Sequence, residues 1–246
     1  MIALILAAGY GTRMYPLTEH TPKALLPVKG RAILDYLLDR LSDPHLGVRE
    51  IVLVSNHRFA EMFRQWFLKW PGSIPWRVLD DGSTSDGDKL GSVGDLAFAI
   101  RTGKIEEDLL VVGSDNLFDG SLRDFIEFAR FKQAVALGAY ELSDRKMAKL
   151  YGVLSVDSQW RVCRFAEKPE QPESALVSTA IYFFPHSVLP KVLEYVALQQ
   201  RAADTMGSFI AWLISRESVY AYPFRGLWVD IGDMASYQKA QEIVHP

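Results

Sequence analysis

The 246-residue sequence predicts an α/β domain, a mostly parallel sheet with helices on both faces. Short β-branched runs alternate with longer amphipathic segments through the first half, which is the rhythm of βα units. Several of those runs are apolar throughout, as strands covered on both faces are. After about Val135 the rhythm changes, and strand-like runs follow one another with few helical breaks.

Taken in order, Ile2–Leu6 reads as the first strand. Ile33–Leu41 reads as a helix, because Leu34, Leu37, Leu38 and Leu41 recur at helical spacing. Ile51–Val54 is a strand, Phe59–Lys69 a helix, Arg77–Leu79 a short strand and Val93–Thr102 a helix. Leu109–Val112 is a buried-type strand and Leu122–Phe131 a helix. The runs AVALGAYEL, YGVLSVD, WRVCRFAEKP and LVSTAIYFF then read as an extended or antiparallel addition to the sheet. Helical patterns return at Ser187–Tyr195 and Met206–Ser215, VYAYPF and LWVDI are strands, and Met234–Val244 closes as a helix. No break in composition marks a second domain, so a single domain over 1–246 is expected.

Hydrophobic residues make up 49% and charged residues 23%, which excludes a disordered chain. The formal net charge of −3 supplies no basic field for nucleic acid, so any phosphate is held by a few local cations. Cys163 is the only cysteine, which excludes an intramolecular disulfide and a cysteine-based zinc cluster and fits a reducing compartment. Its expected role is a small buried apolar residue. No basic leader precedes Ile2–Ala8, and that run is too short to span a bilayer, so a cytoplasmic protein without a membrane segment is expected. His20, His45, His57, His186 and His245 show no ligand spacing. The aromatic run WFLKWPGSIPW reads as core or subunit contact.

The polar clusters fall where strands end. LAAGYGTRMYPLTEHTPKALLPV (Leu6–Val28) follows the first strand, GSDN (Gly113–Asn116) follows Leu109–Val112, EKP (Glu167–Pro169) follows a strand, and Asp230 ends LWVD. In open α/β sheets ligands bind outside the carboxyl ends of strands, so these clusters are expected to converge. The first loop lacks the third glycine of the dinucleotide fingerprint, since Met14 stands there. It also lacks the Lys-Ser/Thr pair of a Walker A loop. Its glycines let backbone N–H groups approach phosphate oxygens, Arg13 adds a fork of donors and Lys23 a mobile charge. Asp230, flanked by Val229 and Ile231, is unusual without a partner or a metal. Asp115 has a second reading as the cap of a following turn, and Glu167–Lys168 as a solvated pair.

The first loop resembles the signature of the sugar-phosphate nucleotidylyltransferases. GSDN, YGV (Tyr151–Val153), EKP, STAIYFF and GLWVDIGDMASY resemble that family's later motifs in the same order. The resemblance implies a Rossmann-like three-layer fold with a small β-rich sugar-binding insertion, about 1–135 serving the nucleotide and about 136–230 the sugar phosphate. It implies attack of a sugar-1-phosphate, a hexose-1-phosphate such as glucose-1-phosphate, on a nucleoside triphosphate, with Mg²⁺ as cofactor. Leu6, Ala8, Gly9, Gly11, Thr12, Arg13, Gly94 and Asp115 would bind the nucleotide. Arg13 and Lys23 would be catalytic, and Asp115 and Asp230 would hold the metal. Asn116, Gly152, Glu167, Lys168 and Thr179 would bind the sugar phosphate.

Two departures stand out. Asp88 and Lys89 lie near where the thymidylyl pattern has Gln, which leaves the base open. Ala180 stands where many relatives have Gly. The acidic stretch Asp80–Asp88 reads as a lid or as a plain polar loop. The chain runs out soon after Asp230, so a short form without a β-helix acyltransferase domain is expected, with its oligomeric state open. Three other readings remain. One is a cytidylyltransferase with a non-sugar phosphate or phosphonate acceptor. Another is a glycosyltransferase using Asp86-Gly87-Asp88, and the last is a catalytically silent regulatory homologue.

Overall fold

The computed structural model describes residues 1–199 and 205–244. Strand β1 (Ile2–Leu6) leads through 3-10 turns at Thr12–Met14 and Lys23–Leu25 into a hairpin of β2 (Pro27–Val28) and β3 (Arg31–Ala32). Helix α1 (Ile33–Leu41), β4 (Glu50–Ser55), α2 (Ala60–Phe67), β5 (Trp76–Asp80), α3 (Gly91–Gly103) and β6 (Leu109–Gly113) complete the βα half. Then come β7 (Asn116–Phe118), α4 (Leu122–Lys132), β8 (Val135–Glu141), β9 (Gly152–Val156), β10 (Val162–Glu167) and β11 (Leu176–Phe184). Helices α5 (Leu189–Leu198) and α6 (Met206–Leu213), strands β12 (Val219–Pro223) and β13 (Trp228–Asp230), and α7 (Met234–Ile243) finish the described chain.

The main sheet runs β12–β8–β11–β6–β1–β4–β5. Strands β6, β1, β4 and β5 are parallel, as are β12 and β8, and β11 alone runs against its neighbours. The hairpin β9–β10 joins where Val177 of β11 meets Val153. Consecutive residues of β1 serve opposite faces. Ile2 and Leu4 pack with Leu96, Ile100, Val192 and Phe209 from α3, α5 and α6. Ala3 and Ile5 pack with Leu34, Leu38, Phe63 and Phe125 from α1, α2 and α4. This three-layer arrangement is the one the sequence predicts. Trp76 stacks on Phe67 with centroids 5.0 Å apart; within the aromatic run Phe67 is buried, and Trp66, Trp70 and Trp76 pack partly buried against the core.

Strand β1 has β4 on one side and β6 on the other, so the strand order reverses there and a crevice opens beyond their carboxyl ends. A second, small ladder crosses above it. Strand β13 pairs antiparallel with β7, setting Asp230 opposite Asn116.

Cys163 corrects one expectation, because it is exposed. It sits on edge strand β10 at a register shift between Val162 and Arg164, which turns it outward with Arg164. His245 lies outside the described residues.

Candidate active site

The loop after β1 is held from below by side chains that spacing alone does not flag. Asn56 is fully buried, donates Nδ2–H to the Ala8 carbonyl at 3.0 Å and accepts from the Phe59 N–H at 3.1 Å. Thr18, also fully buried, donates its hydroxyl to the Gly11 carbonyl at 2.7 Å. Gly11 has φ of 64°, and a Cβ there would meet Thr18 Cγ2 at 3.1 Å, so both conformation and space call for glycine. Met14, where a third glycine would stand, is buried among Val28, Ile33, Leu117 and Ile231 and pins the loop to the α7 side.

Two cavities open at the crevice. The smaller, about 290 Å³, is lined by Leu6, Ala8, Gly9, Gly11, Lys23, Asp115 and, across from the glycine loop, Gly91, Ser92 and Asp95. The larger, about 1240 Å³, is lined by Arg13, Asn116, Gly152, Glu167, Lys168, Thr179 and Asp230, with Tyr140, Tyr151 and Trp228 among the aromatic walls. Leu6, Ser92 and Asp115 line both. Of the residues singled out in the sequence, Thr12 and Gly94 line neither. Gly94 lies one turn into α3, whose first residue, Gly91 with φ of 76°, reaches the wall instead. Arg13 lines the larger cavity rather than the smaller one.

At the junction Lys23 Nζ donates to Asp115 Oδ2 at 2.5 Å, with both side chains mostly covered. The other carboxylate oxygen of Asp115 accepts from Asn116 Nδ2 at 2.9 Å. Asn116 Oδ1 in turn accepts from Trp228 Nε1 at 2.8 Å, so both ends of its buried amide are committed to positioning Asp115. The Ile231 N–H donates to the Asp115 carbonyl at 2.9 Å, tying the Asp230 strand end to this residue. Burial and the Asp115 charge push the Asp230 carboxyl well above the ordinary carboxylate range, to about 7, against opposing pulls from Lys23, Arg13 and Lys168. The Arg13 guanidinium lies over Gly232, since a Cβ there would be 3.6 Å from Nη2 and 3.7 Å from Asp230 Oδ2. Two carboxylates pressed together in a half-buried site are relieved by a hard divalent cation, and their all-oxygen chemistry fits Mg²⁺, which uses one or two carboxylates and completes its shell with phosphate and water.

On the far wall Glu167 is raised above its usual value by burial, partly offset by Lys168, whose Nζ is 3.9 Å from Glu167 Oε1. Gly207 of α6 makes room for this carboxylate, because a Cβ there would fall 1.9 Å from Oε2. Gly152 is fixed by Phe165, whose Cζ would be 2.3 Å from an added Cβ. Thr179 sits in a bulge of β11 between Ser178 and Tyr182, and its buried hydroxyl has no partner among the described residues. Ala180 in the same bulge has φ of 57°, which explains why glycine suits the position.

Within the Asp80–Asp88 stretch, the Thr84–Asp88 end is closed on itself. The Asp88 carboxylate accepts from the N–H groups of Thr84 and Ser85 at 3.1 and 2.7 Å and from both hydroxyls at 3.0 Å, holding its pKa down to about 2. Asp86 pairs with Lys89 at 2.9 Å. Asp86 and Asp88 are thus engaged within the loop, which removes the argument for a metal-binding Asp-x-Asp.

Comparison with known proteins follows the same line. A family model described as "Nucleotidyl transferase" matches residues 2–245. The UTP–glucose-1-phosphate uridylyltransferase AglF of Haloferax volcanii is 29% identical over 245 residues, 98% of this chain and 96% of its own. A UTP–glucose-1-phosphate uridylyltransferase of Synechocystis is 30% identical over 249 residues, 98% of this chain and 62% of its own. The bifunctional protein GlmU of Methanocaldococcus jannaschii is 28% identical over 234 residues, 94% of this chain and 51% of its own. The chain thus spans about half to three fifths of the length of several curated relatives it matches. A solved structure from Bacillus anthracis, of a protein assigned as a glucose-1-phosphate thymidylyltransferase and holding a sucrose, superposes with a TM-score of 0.80 at 22% identity. It covers 99% of this chain and 94% of that one, and it shows the fold. With the match running over residues 2–245, the chain belongs to the nucleotidyl transferase family.

Proposed function

We propose that the chain joins a nucleoside triphosphate to a sugar-1-phosphate, a hexose-1-phosphate such as glucose-1-phosphate, giving a nucleotide sugar and pyrophosphate in the cytoplasm. The observation that carries this reading is the Lys23–Asp115 pair at the junction of two cavities, a cation and a carboxylate where two anionic substrates would meet. On this reading residues about 1–135 mainly serve the nucleotide and about 136–230 the sugar phosphate.

A phosphate oxygen of the sugar-1-phosphate attacks the α-phosphorus in line. The bond to the β-phosphate breaks, and pyrophosphate leaves with the electron pair. A phosphomonoester has its second pKa at about 6, so the nucleophile is largely a dianion at neutral pH and needs no general base. What it needs is relief of repulsion and orientation. Gly9 and Gly11 offer backbone donors to the triphosphate. Lys23 swings from Asp115 onto the α-phosphate and incoming phosphate, where charge develops, and Arg13 holds the departing phosphates. Asp115 and Asp230 would hold Mg²⁺, which supplies charge neutralisation at the α-phosphate. Lys168 receives the sugar phosphate, Glu167 accepts from sugar hydroxyls, and Gly152 and Thr179 shape the pocket, with Asn116 keeping Asp115 in place.

The test is pyrophosphate release with Mg²⁺ from a matrix of nucleoside triphosphates against sugar-1-phosphates, with choline phosphate as a non-sugar acceptor. Release that depends on a sugar-1-phosphate supports the reading, and release only with choline phosphate moves the acceptor. Lys23→Ala should lower kcat by about 10²–10³-fold with the fold intact, and near-normal turnover would sink the assignment.

A further inference from the structure

Asp115 would hold a divalent cation, yet it stands at the end of a ladder with little backbone support. Strands β7 and β13 have three residues each and pair only with one another. In that ladder Asp230 lies opposite Asn116, and Trp228, two residues earlier, shares the Asp230 face. Trp228 is therefore the diagonal neighbour of Asn116, at a separation that a long side chain spans. Its Nε1–H reaches across to Asn116 Oδ1 at 2.8 Å, and Asn116 Nδ2 donates to Asp115 Oδ1 at 2.9 Å.

The three groups give this relay one direction. A carboxylate only accepts and an indole N–H only donates, so the amide between them has a single satisfied orientation. Asn116 is 2% exposed, so losing either partner leaves a buried polar atom unmatched. Trp228 is itself hemmed in. The rings of Tyr140 and Tyr151 pack on it with centroids 5.4 and 5.2 Å away, and the Tyr140 hydroxyl donates to the Gly226 carbonyl just before β13. The other oxygen of Asp115 is held by Lys23, which on the reading above moves onto phosphate. Asn116 is then the side chain that keeps this carboxylate aimed, and its own hold depends on the indole N–H. A partner behind a ligating group sets its orientation and is felt as metal affinity. A place on the wall of the larger cavity explains an aromatic ring at 228 but not its N–H, since phenylalanine would line the wall as well.

We propose that Trp228 is a positioning residue for the metal site, acting through Asn116 on Asp115. This rests on Asp115 being a ligand of the divalent cation in the reaction above.

Mn²⁺ binding followed by electron paramagnetic resonance, with neither nucleotide nor sugar phosphate present, tests it on the intact chain. Trp228→Phe keeps a ring on the wall and removes the donor. It should weaken Mn²⁺ binding about tenfold or more, the scale of a lost partner behind a metal ligand, while the KM for the sugar phosphate changes far less. Asn116→Ala should weaken Mn²⁺ binding as much, and adding Trp228→Phe to it should cost nothing further, because the two act in one relay. A role in the wall alone would do the reverse, raising KM and leaving Mn²⁺ affinity in place. If Trp228→Phe does not fold, Trp228→Met removes the same N–H and reads the same ratio. Parental Mn²⁺ affinity in a folded variant overturns the inference, as do losses that add in the double variant, and pyrophosphate release by the unaltered chain would then still support the reaction. Weaker binding in the variant, with no pyrophosphate release from the unaltered chain for any acceptor, keeps the inference and removes the reaction. No Mn²⁺ binding by the unaltered chain overturns the inference together with the assignment of Asp115 as a metal ligand.

Discussion

Contact between the Asp95 and Asp81 carboxyl groups ties the stability of the free protein to pH. Burial, with the Asp81 carboxyl beside it, pushes the Asp95 carboxyl up to about 8, from an ordinary value of 3.8. The folded chain therefore keeps a proton where the unfolded chain has lost it. Stability falls with rising pH wherever the native state binds more protons, which here is the window from about pH 4 to pH 8. One group contributes at most about 1.4 kcal/mol per pH unit, or roughly 3 kcal/mol between pH 5 and pH 7. Water reaching the cavity wall lowers that figure. Asp95→Asn removes the titration and keeps the shape. Urea unfolding with a chelator present, at a series of pH values across this window, should give a variant whose stability declines less steeply and overtakes the parent's on the alkaline side. Asp230 also titrates above its usual range, but it is common to both proteins and cancels in the difference. Parallel curves would refute a buried, proton-holding Asp95.

Ala180→Gly should stabilise the chain. The left-handed φ of 57° costs alanine about 1–2 kcal/mol, and glycine returns roughly half of that in unfolded-state entropy. A net gain of about 0.5–1 kcal/mol raises Tm by about 1–4 °C in a chain of this size, and an unchanged or lowered melting temperature would contradict the strain. Gly207→Ala would set a Cβ 1.9 Å from Glu167 Oε2 and push the carboxylate off its place. The KM for the sugar phosphate should rise about tenfold, in line with the sensitivity of positioned contacts, while nucleotide affinity holds, and steady-state kinetics with each substrate varied in turn separates the two.

The parallel half of the fold was legible because strands buried on both faces leave unbroken apolar runs, and α1 leaves its leucines at helical spacing. Strands β2, β3 and β7 were not, since two or three residues show no period. Cys163 breaks the expectation of burial because alternation counted back from the buried Phe165 would face it inward, and the register shift turns it outward instead. In the site, Asp115, Asp230 and Lys23 could be picked out as polar or charged residues at strand ends. Asn56, Thr18 and Gly207 act through tertiary contacts that no spacing records. Asp95 carries the same signal as Asp230, an acid within an apolar run. A helix hides it, because an aspartate at most helical positions faces water, whereas in LWVDI its apolar neighbours make it conspicuous.

Many of the unfavourable features among the described residues gather at the two cavities. Lys104 and Gln133 are left-handed at helix C-caps, and Lys29 and Trp160 stand in the β2–β3 and β9–β10 turns, where that conformation is ordinary. Lys168 and Ala180 are left-handed away from any helix end, and both line the larger cavity. Of the carboxyls raised by burial, Asp95, Glu167 and Asp230 line one cavity or the other, and Asp35 of α1 lines neither. Strain and unmatched charge persist where the surrounding structure over-determines them, and they cluster at ligand sites. Glu167 and Asp230 are the groups that bound hydroxyls and a divalent cation would satisfy. Nucleotide, sugar phosphate and metal should therefore each raise the melting temperature, with shifts that add, because each removes a cost that the others leave in place.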